Sequence, residues 1–420
     1  MPKSAPMSWP SLVFYCQHSL GIGHLTRSFA LAASLREHFH VVFLNGGRLP
    51  AGIVVPEGIE LIDLPPLGMD DGHTLVSRDA ARLDVAAAQV QRRDLIEGAI
   101  TRHRPAVLLV ELFPFGRKKF AGEILPMIRQ VRRQSGMAAQ VICSLRDILV
   151  DARPDQRHHD DRARFITDRY FDAVIVHADP EFARIEESFH PTRPMRTGVH
   201  YSGYVVPRRA AHADAPRAAH ILLSAGGGIV GDLLYRTVLD ARLLLKEPPP
   251  LRIIAGPFLP EPQWLALCDR CAGEPGVELL RHVGDMVAEM RQARASISQC
   301  GYNSALDIVG ANVPALVVPY ETPSENEQRT RAQRLAALGA MQMLPAAELT
   351  APRVAQAIDD LLEFRPRPAA LDLNGADHTA QLLARWHDQR QSTPRTTPSS
   401  APRRELGRPA EPDQLRRAAA

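Results

Sequence analysis

From Leu12 onward, short β-branched or apolar runs alternate with longer stretches of helical periodicity, and this happens in two blocks separated by an aperiodic segment. Such alternation builds βαβ units, and these build parallel sheets covered by helices. In the first block the expected strands are Leu12–Cys16, His40–Leu44, Ile59–Asp63, Ala106–Glu111, Gln140–Ser144 and Ala173–Val176. Helical patterns fill the gaps: Ala30, Leu31, Ala33, Ser34 and Leu35 follow His24, and Phe120, Ile124, Met127, Ile128 and Val131 come later. The second block places strands at His220–Ser224, Leu251–Ile254, Val277–Leu280, Ala295–Ser298 and Ala315–Val318. It repeats the architecture of the first without obvious sequence identity.

The expectation is therefore an α/β chain of two Rossmann-like domains with parallel sheets, residues 9–205 and 217–365. Tyr201–Pro216, rich in Pro, Arg, Ala and His, reads as the interdomain linker. A further amphipathic helix is expected over 374–390, and the Pro-, Arg-, Ser- and Thr-rich segment 391–420 reads as a disordered tail. A chain of 420 residues exceeds what one core usually sustains, which agrees with two domains.

Composition excludes several classes. A formal charge of +3 is too small for a nucleic-acid footprint. Five scattered cysteines, with no secretory leader before the first strand, indicate reduced thiols in a cytoplasmic protein. Cys268 and Cys271 form a lone C-x-x-C in a helical context and read as two helix residues one turn apart, not as a metal or redox pair. No apolar run reaches the roughly 18 residues of a transmembrane helix, so any membrane contact is expected to be peripheral.

Chemistry concentrates in the strand-to-helix connections. The first strand runs into Gln17-His18-Ser19-Leu20-Gly21-Ile22-Gly23-His24-Leu25-Thr26-Arg27, where Gly21 and Gly23 permit a tight turn. The third glycine of a dinucleotide fingerprint is missing and Asn45-Gly46, not an acid, end the next strand, which argues against NAD. In the second block, Ser224 leads into Ala225-Gly226-Gly227-Gly228, a glycine nest aimed at a helix start, suited to a diphosphate but also explicable as a plain βα turn. Gly301, Asn303 and Ser304 open another helix that carries Asp307, a carboxylate placed either for ribose hydroxyls or to complement the helix dipole. Ser324 with Glu327 has the spacing of a capping box, beside Gln328. In the first block, Arg117-Lys118-Lys119 follow Phe113 and Phe115 at a helix start, pointing either to an anionic ligand or to a solvated basic turn over buried phenylalanines. Arg146 and Asp147, just past the expected strand Gln140–Ser144, read either as candidates for a ligand contact or as an internal ion pair. No Asp-x-Asp is present, so no metal is expected on a bound diphosphate.

In their joint order, the nest, His282-Val283-Gly284-Asp285-Met286, Gly301–Asp307 and Glu327–Gln328 resemble glycosyltransferase family 28, the group that includes the lipid-linked N-acetylglucosaminyltransferase of peptidoglycan synthesis. Within that superfamily the chain looks most like a subgroup of predicted glycosyltransferases. The resemblance implies a GT-B fold, its two parallel sheets facing a central cleft, and a UDP-sugar held mainly by the C-terminal domain, without a cofactor. It places the diphosphate at Ser224–Gly228 and Gly301–Ser304, the uracil near Val283 and Met286, and the ribose on Asp307, where the family usually has Glu. The sugar-facing Gln pair of the family falls on Glu327 and Gln328, of which only the second matches. His24 then faces the anomeric carbon as general base, with inversion, and Gly21, Gly23, Arg27, Arg117, Arg146 and Asp147 stand on the side of an unknown acceptor. The Gly21–Arg27 loop also resembles that of nucleotide-sugar hydrolases, which leaves a hydrolase, a 2-epimerase or a non-catalytic sugar-nucleotide-binding protein as rival readings.

Overall fold

A computed structural model describes residues 9–18, 23–50, 53–70, 74–78, 83–136, 138–208, 217–323 and 325–392. In the first half the strands are β1 (Ser11–Cys16), β2 (His40–Asn45), β3 (Glu60–Asp63), β4 (Leu67–Met69), β5 (Leu75–Ser77), β6 (Val107–Glu111), β7 (Gln140–Arg146), β8 (Ala173–His177) and β9 (Gly198–Tyr201). The helices between them are α1 (Gly23–Leu35), α2 (Val85–His103), α3 (Ala121–Ser135) and α4 (Gln156–Tyr170). The second half contains β10 (Ile221–Ser224), α5 (Asp232–Arg242), β11 (Leu251–Ile254), α6 (Glu261–Cys271), β12 (Val277–Leu280), α7 (Met286–Gln292) and β13 (Ala295–Ser298). It continues with α8 (Tyr302–Ala311), β14 (Ala315–Val317), α9 (Glu327–Ala337), β15 (Gln342–Met343), α10 (Ala351–Glu363) and α11 (Gly375–Ser392).

The first sheet has seven strands in the order β3-β2-β1-β6-β7-β8-β9, all parallel. The second has six, β12-β11-β10-β13-β14-β15, again all parallel. Each sheet grows outward from its first strand and then reverses, between β1 and β6 and between β10 and β13. Open parallel sheets bind ligands at such switch points, outside the carboxyl ends of the strands. Helices cover both faces, so β1, β6 and β8 are buried along nearly their whole length and read in sequence as continuous apolar runs.

Helix α11 returns to the first half, where Ala376, Ala380 and Leu383 join the core of Leu12, Phe14 and Leu31. The outgoing and returning chains cross at Gly203 and Gly375. A Cβ on Gly375 would lie 2.1 Å from the Gly203 carbonyl oxygen, and Tyr204 N–H donates to the Asp372 carbonyl at 2.7 Å. The expected linker therefore divides. Tyr201 ends β9 and Tyr204 and Val205 are buried, because the returning chain packs over them. Residues 209–216, like the tail from 393, lie outside the described residues.

The halves are tied by a buried ion pair. Arg331 of α9 donates through Nε and a terminal nitrogen to the two oxygens of Asp147, at 2.9 and 2.8 Å, and also to the Cys300 carbonyl at 2.9 Å. Neither side chain is more than 2% exposed. Around it, Tyr302 donates its hydroxyl to the His177 carbonyl and accepts the Val205 N–H, at 3.1 and 3.0 Å. Removing one member of such a pair strands a buried charge, so Asp147→Ala should cost about 3–5 kcal/mol of stability. Urea unfolding of the two proteins checks this, and a loss under about 1 kcal/mol would show that the pair is dispensable.

Candidate active site

His24 lies in the first turn of α1, directly after the loop that leaves β1. The strand beside β1 at the switch point is β6, whose last residue is Glu111. Parallel strands bring both side chains to the same sheet edge. His24 Nδ1 lies 2.6 Å from Glu111 Oε1, and Arg27, one turn along α1, donates to the same oxygen at 2.5 Å. The carboxylate is fully buried, while the imidazole keeps 15% of its surface exposed.

Burial pushes the His24 imidazole down to about 3, with Arg117 adding to the effect and Glu111 opposing it without success. Burial would raise Glu111, but His24, Arg27 and Arg117 outweigh it and hold the carboxylate at about 2. The resting pair is thus neutral imidazole and ionised carboxylate. Glu111 takes the Nδ1–H hydrogen bond, and Nε2 is left as the basic nitrogen. Sequence reasoning assigned His24 but no role to Glu111. The available signal was its place as the last residue of a switch-point strand.

In the second half, Ser224 closes β10 and the glycine loop follows. Gly226 and Gly228 have φ of 57° and 89°. A Cβ on Gly228 would meet the Ala255 carbonyl oxygen at 2.2 Å, and Phe258 N–H donates to the Gly227 carbonyl at 2.9 Å. Backbone stacking on the loop after β11 therefore requires glycine at 228. On the other side, a Cβ on Gly226 would lie 3.4 Å from Ser304 Oγ, so the nest abuts the first turn of α8. Gly301 caps that helix without a side-chain hydrogen bond, and a Cβ there would meet nothing within 4 Å. An uncapped helix start beside open space is a natural anion seat.

Asn303 links the two halves of the site: its Nδ2 donates to the Gly23 carbonyl at 3.3 Å. The start of α8 thus faces the start of α1, next to His24. Asp307 follows Asn303 at i+4 on α8 and is half-buried. Val283 and Met286 pack against the core beneath α8, and Asp285 between them caps α7 through the Val287 and Ala288 amides at 3.0 and 3.1 Å.

Other candidates are placed differently. Gly21 and Ser324 lie outside the described residues. The N-cap of α9 is Asn326, and Glu327 is its first residue, so Glu327 cannot be the third residue of a capping box. Instead Glu327 pairs with Arg146 across the halves, at 3.0 and 2.8 Å. Asp147 is fully buried on Arg331, so Arg146 and Asp147 do not pair with one another but each with a different residue of the second half. The Gln328 side-chain oxygen accepts the Cys300 and Tyr320 amides, each at 3.1 Å, which leaves only its NH₂ for a ligand. Phe113 and Phe115 are in the core, and Lys118–Phe120 form a short 3₁₀ turn, so no α-helix starts on the cations. Arg117 nevertheless stays close to the centre: burial lowers it, and its strongest charge partner is Glu111.

Residues 240–385 match the glycosyltransferase family 28 C-terminal domain. The UDP-N-acetylglucosamine–N-acetylmuramyl-(pentapeptide) pyrophosphoryl-undecaprenol N-acetylglucosamine transferase of Thiobacillus denitrificans is 26% identical over 346 residues, covering 80% of this chain and 86% of that one. The protein of the same name from Mesorhizobium japonicum is 33% identical over 112 residues, 26% of this chain and 30% of that one. Among solved structures, Acinetobacter baumannii MurG aligns at a TM-score of 0.50 and 18% identity, covering 90% of this chain and all (100%) of that one. Phytolacca americana UGT2 complexed with UDP-2-fluoro-glucose and pterostilbene aligns at 0.54 and 14%, covering 92% and 95%.

The buried histidines set a pH window. His177, held by Ser144 Oγ at 2.7 Å and Ser202 Oγ at 2.9 Å, is pushed by burial to about 3, as His24 is. The unfolded chain titrates these groups near 6.5, so below that pH it binds more protons than the folded one. Stability from these residues is complete above about 6.5 and drains away as the pH falls toward 3. Urea midpoints measured from pH 7 to pH 4 should decline, and less steeply in His177→Gln. Equal slopes would show that His177 is not neutral in the fold.

Proposed function

We propose that this chain, a family 28 glycosyltransferase on the GT-B fold, transfers a hexose or N-acetylhexosamine from a UDP-sugar to an acceptor hydroxyl, with inversion and without a metal ion on the diphosphate. The observation that carries the reading is the Asn303–Gly23 hydrogen bond, which sets the uncapped start of α8 opposite the His24–Glu111 pair. On this reading the donor diphosphate lies between Gly226–Gly228 and Gly301–Ser304, with the uracil against Val283 and Met286. Asp307 takes the ribose hydroxyls.

In the reaction, the acceptor O–H gives its proton to His24 Nε2 while its oxygen bonds to the anomeric carbon. The bond from that carbon to the phosphate oxygen breaks, and UDP leaves with the electron pair. Glu111 stabilises the imidazolium as it forms, and helix and nest amides stabilise the charge on UDP. Arg117, close to Glu111, provides a cation on the acceptor side. The named relatives act on an undecaprenol-linked substrate, and we place this enzyme in the cytoplasm, resting peripherally on the inner membrane face. No helix among the described residues is long and apolar enough to cross a membrane.

A panel of UDP-sugars, assayed for UDP with and without sugar, lipid-linked and small-molecule acceptors, tests the assignment. Acceptor-dependent UDP release supports transfer, and equal release without any acceptor indicates hydrolysis instead. His24→Ala should lower kcat about 10²–10⁴-fold with UDP affinity unchanged. Glu111→Gln should lower kcat, read where circular dichroism shows the variant folded, since the change also takes the buried counter-charge from Arg27. Asp307→Ala should weaken UDP binding by about 1.5–3 kcal/mol, roughly 10- to 150-fold by calorimetry. Unchanged UDP affinity in that variant would sink the donor-site assignment.

A further inference from the structure

Far from this site, three side chains from three elements converge. His40 opens β2, Glu60 opens β3 on the adjacent strand, and His103 closes α2. They occupy the amino-terminal edge of the first sheet, opposite the edge that carries His24 and Glu111. Glu60 Oε2 lies 3.6 Å from His40 Nε2, and Glu60 Oε1 lies 3.3 Å from His103 Nε2. A tetrahedral ion with nitrogen and oxygen ligands at 2.0–2.2 Å spaces those ligands about 3.3–3.6 Å apart. All three ligand atoms fall within 4.8 Å of one another, and the imidazole centroids are 5.6 Å apart. His40 is the outermost of the three, with 46% of its side chain exposed.

A second observation points to a ligand. His103 is nine-tenths buried, and its Nε2 is shut off from solvent with no hydrogen-bond partner. The carboxylate oxygen 3.3 Å away therefore makes no aligned hydrogen bond to it. A buried nitrogen lone pair without a donor is costly, and a cation shared with Glu60 and His40 would remove that cost.

We propose that His40, Glu60 and His103 bind one divalent first-row ion of the zinc type, with solvent in the fourth position, which staples the β2–β3 edge to the end of α2. The site acts on stability and takes no part in sugar transfer. To test this, the full chain is stripped with chelator, dialysed and titrated with Zn²⁺ alone, followed by calorimetry and thermal unfolding. The wild type should bind one equivalent and melt at a higher temperature with Zn²⁺. His103→Ala should lose both effects, and the exposed His40→Ala should bind at least about tenfold more weakly, with UDP affinity unchanged in each. Absence of Zn²⁺ binding by the wild type, or wild-type binding and melting shifts in both variants, would overturn the proposal.

Discussion

Two sheets of unrelated sequence face one another here around a guanidinium and a carboxylate, Arg331 and Asp147, which meet with both oxygens and two nitrogens in a space closed to water. Desolvating two charges costs nearly what their attraction returns, so the pair adds little net stability when intact. Its effect is on geometry. A fork-to-fork pair is satisfied only at one mutual orientation, and a shifted domain would leave a bare buried charge. The surrounding ties depend on that orientation: Arg146 on Glu327, Asn326 on Asp151, Arg334 on the Phe182 carbonyl and Tyr302 on His177. So does the Asn303–Gly23 contact at the candidate site.

The same economy governs His24. An isolated buried carboxylate would take up a proton, and an isolated buried imidazole would lose one. Placed together with Arg27 and Arg117, Glu111 stays ionised and the histidine stays neutral. Arg27 also spans the gap, its guanidinium lying 5.1 Å above the Tyr302 ring. The charge balance of the first half is thus coupled to α8 of the second, and a base held neutral in the resting state needs no deprotonation before it accepts a proton.

Much of the fold was legible because parallel strands buried on both faces appear as unbroken apolar runs, and the main strands were placed within two residues of their ends. What escaped were elements without that signature. Strand β9 alternates exposed and half-buried residues at a sheet edge, β15 has two residues, and β4–β5 form a small separate hairpin. Cross-chain partners were invisible for another reason. Asp147 and Arg331 stand 184 positions apart, and His40, Glu60 and His103 sit on three elements with no motif spacing. Glu111 looked like the polar end of a strand. Its meaning came only from β1 lying beside β6, a pairing that sheet order decides.

The glycines of the nest and of the α8 start are held by different constraints. Gly228 and Gly256 need no ligand to explain them, since each would drive a Cβ into the other loop's backbone. Gly301 is different. Its φ of −62° suits any residue, and a side chain there would meet nothing within 4 Å. No packing constraint excludes a larger residue or a serine cap, yet the position keeps the helix start bare, close to Gly226 and opposite His24. A glycine at the N-cap forgoes only a few tenths of a kcal/mol relative to a capping side chain. That loss is offset when an anion takes the place of the cap, so Gly301, which no packing constrains, points to a diphosphate more strongly than Gly228, which backbone packing already requires.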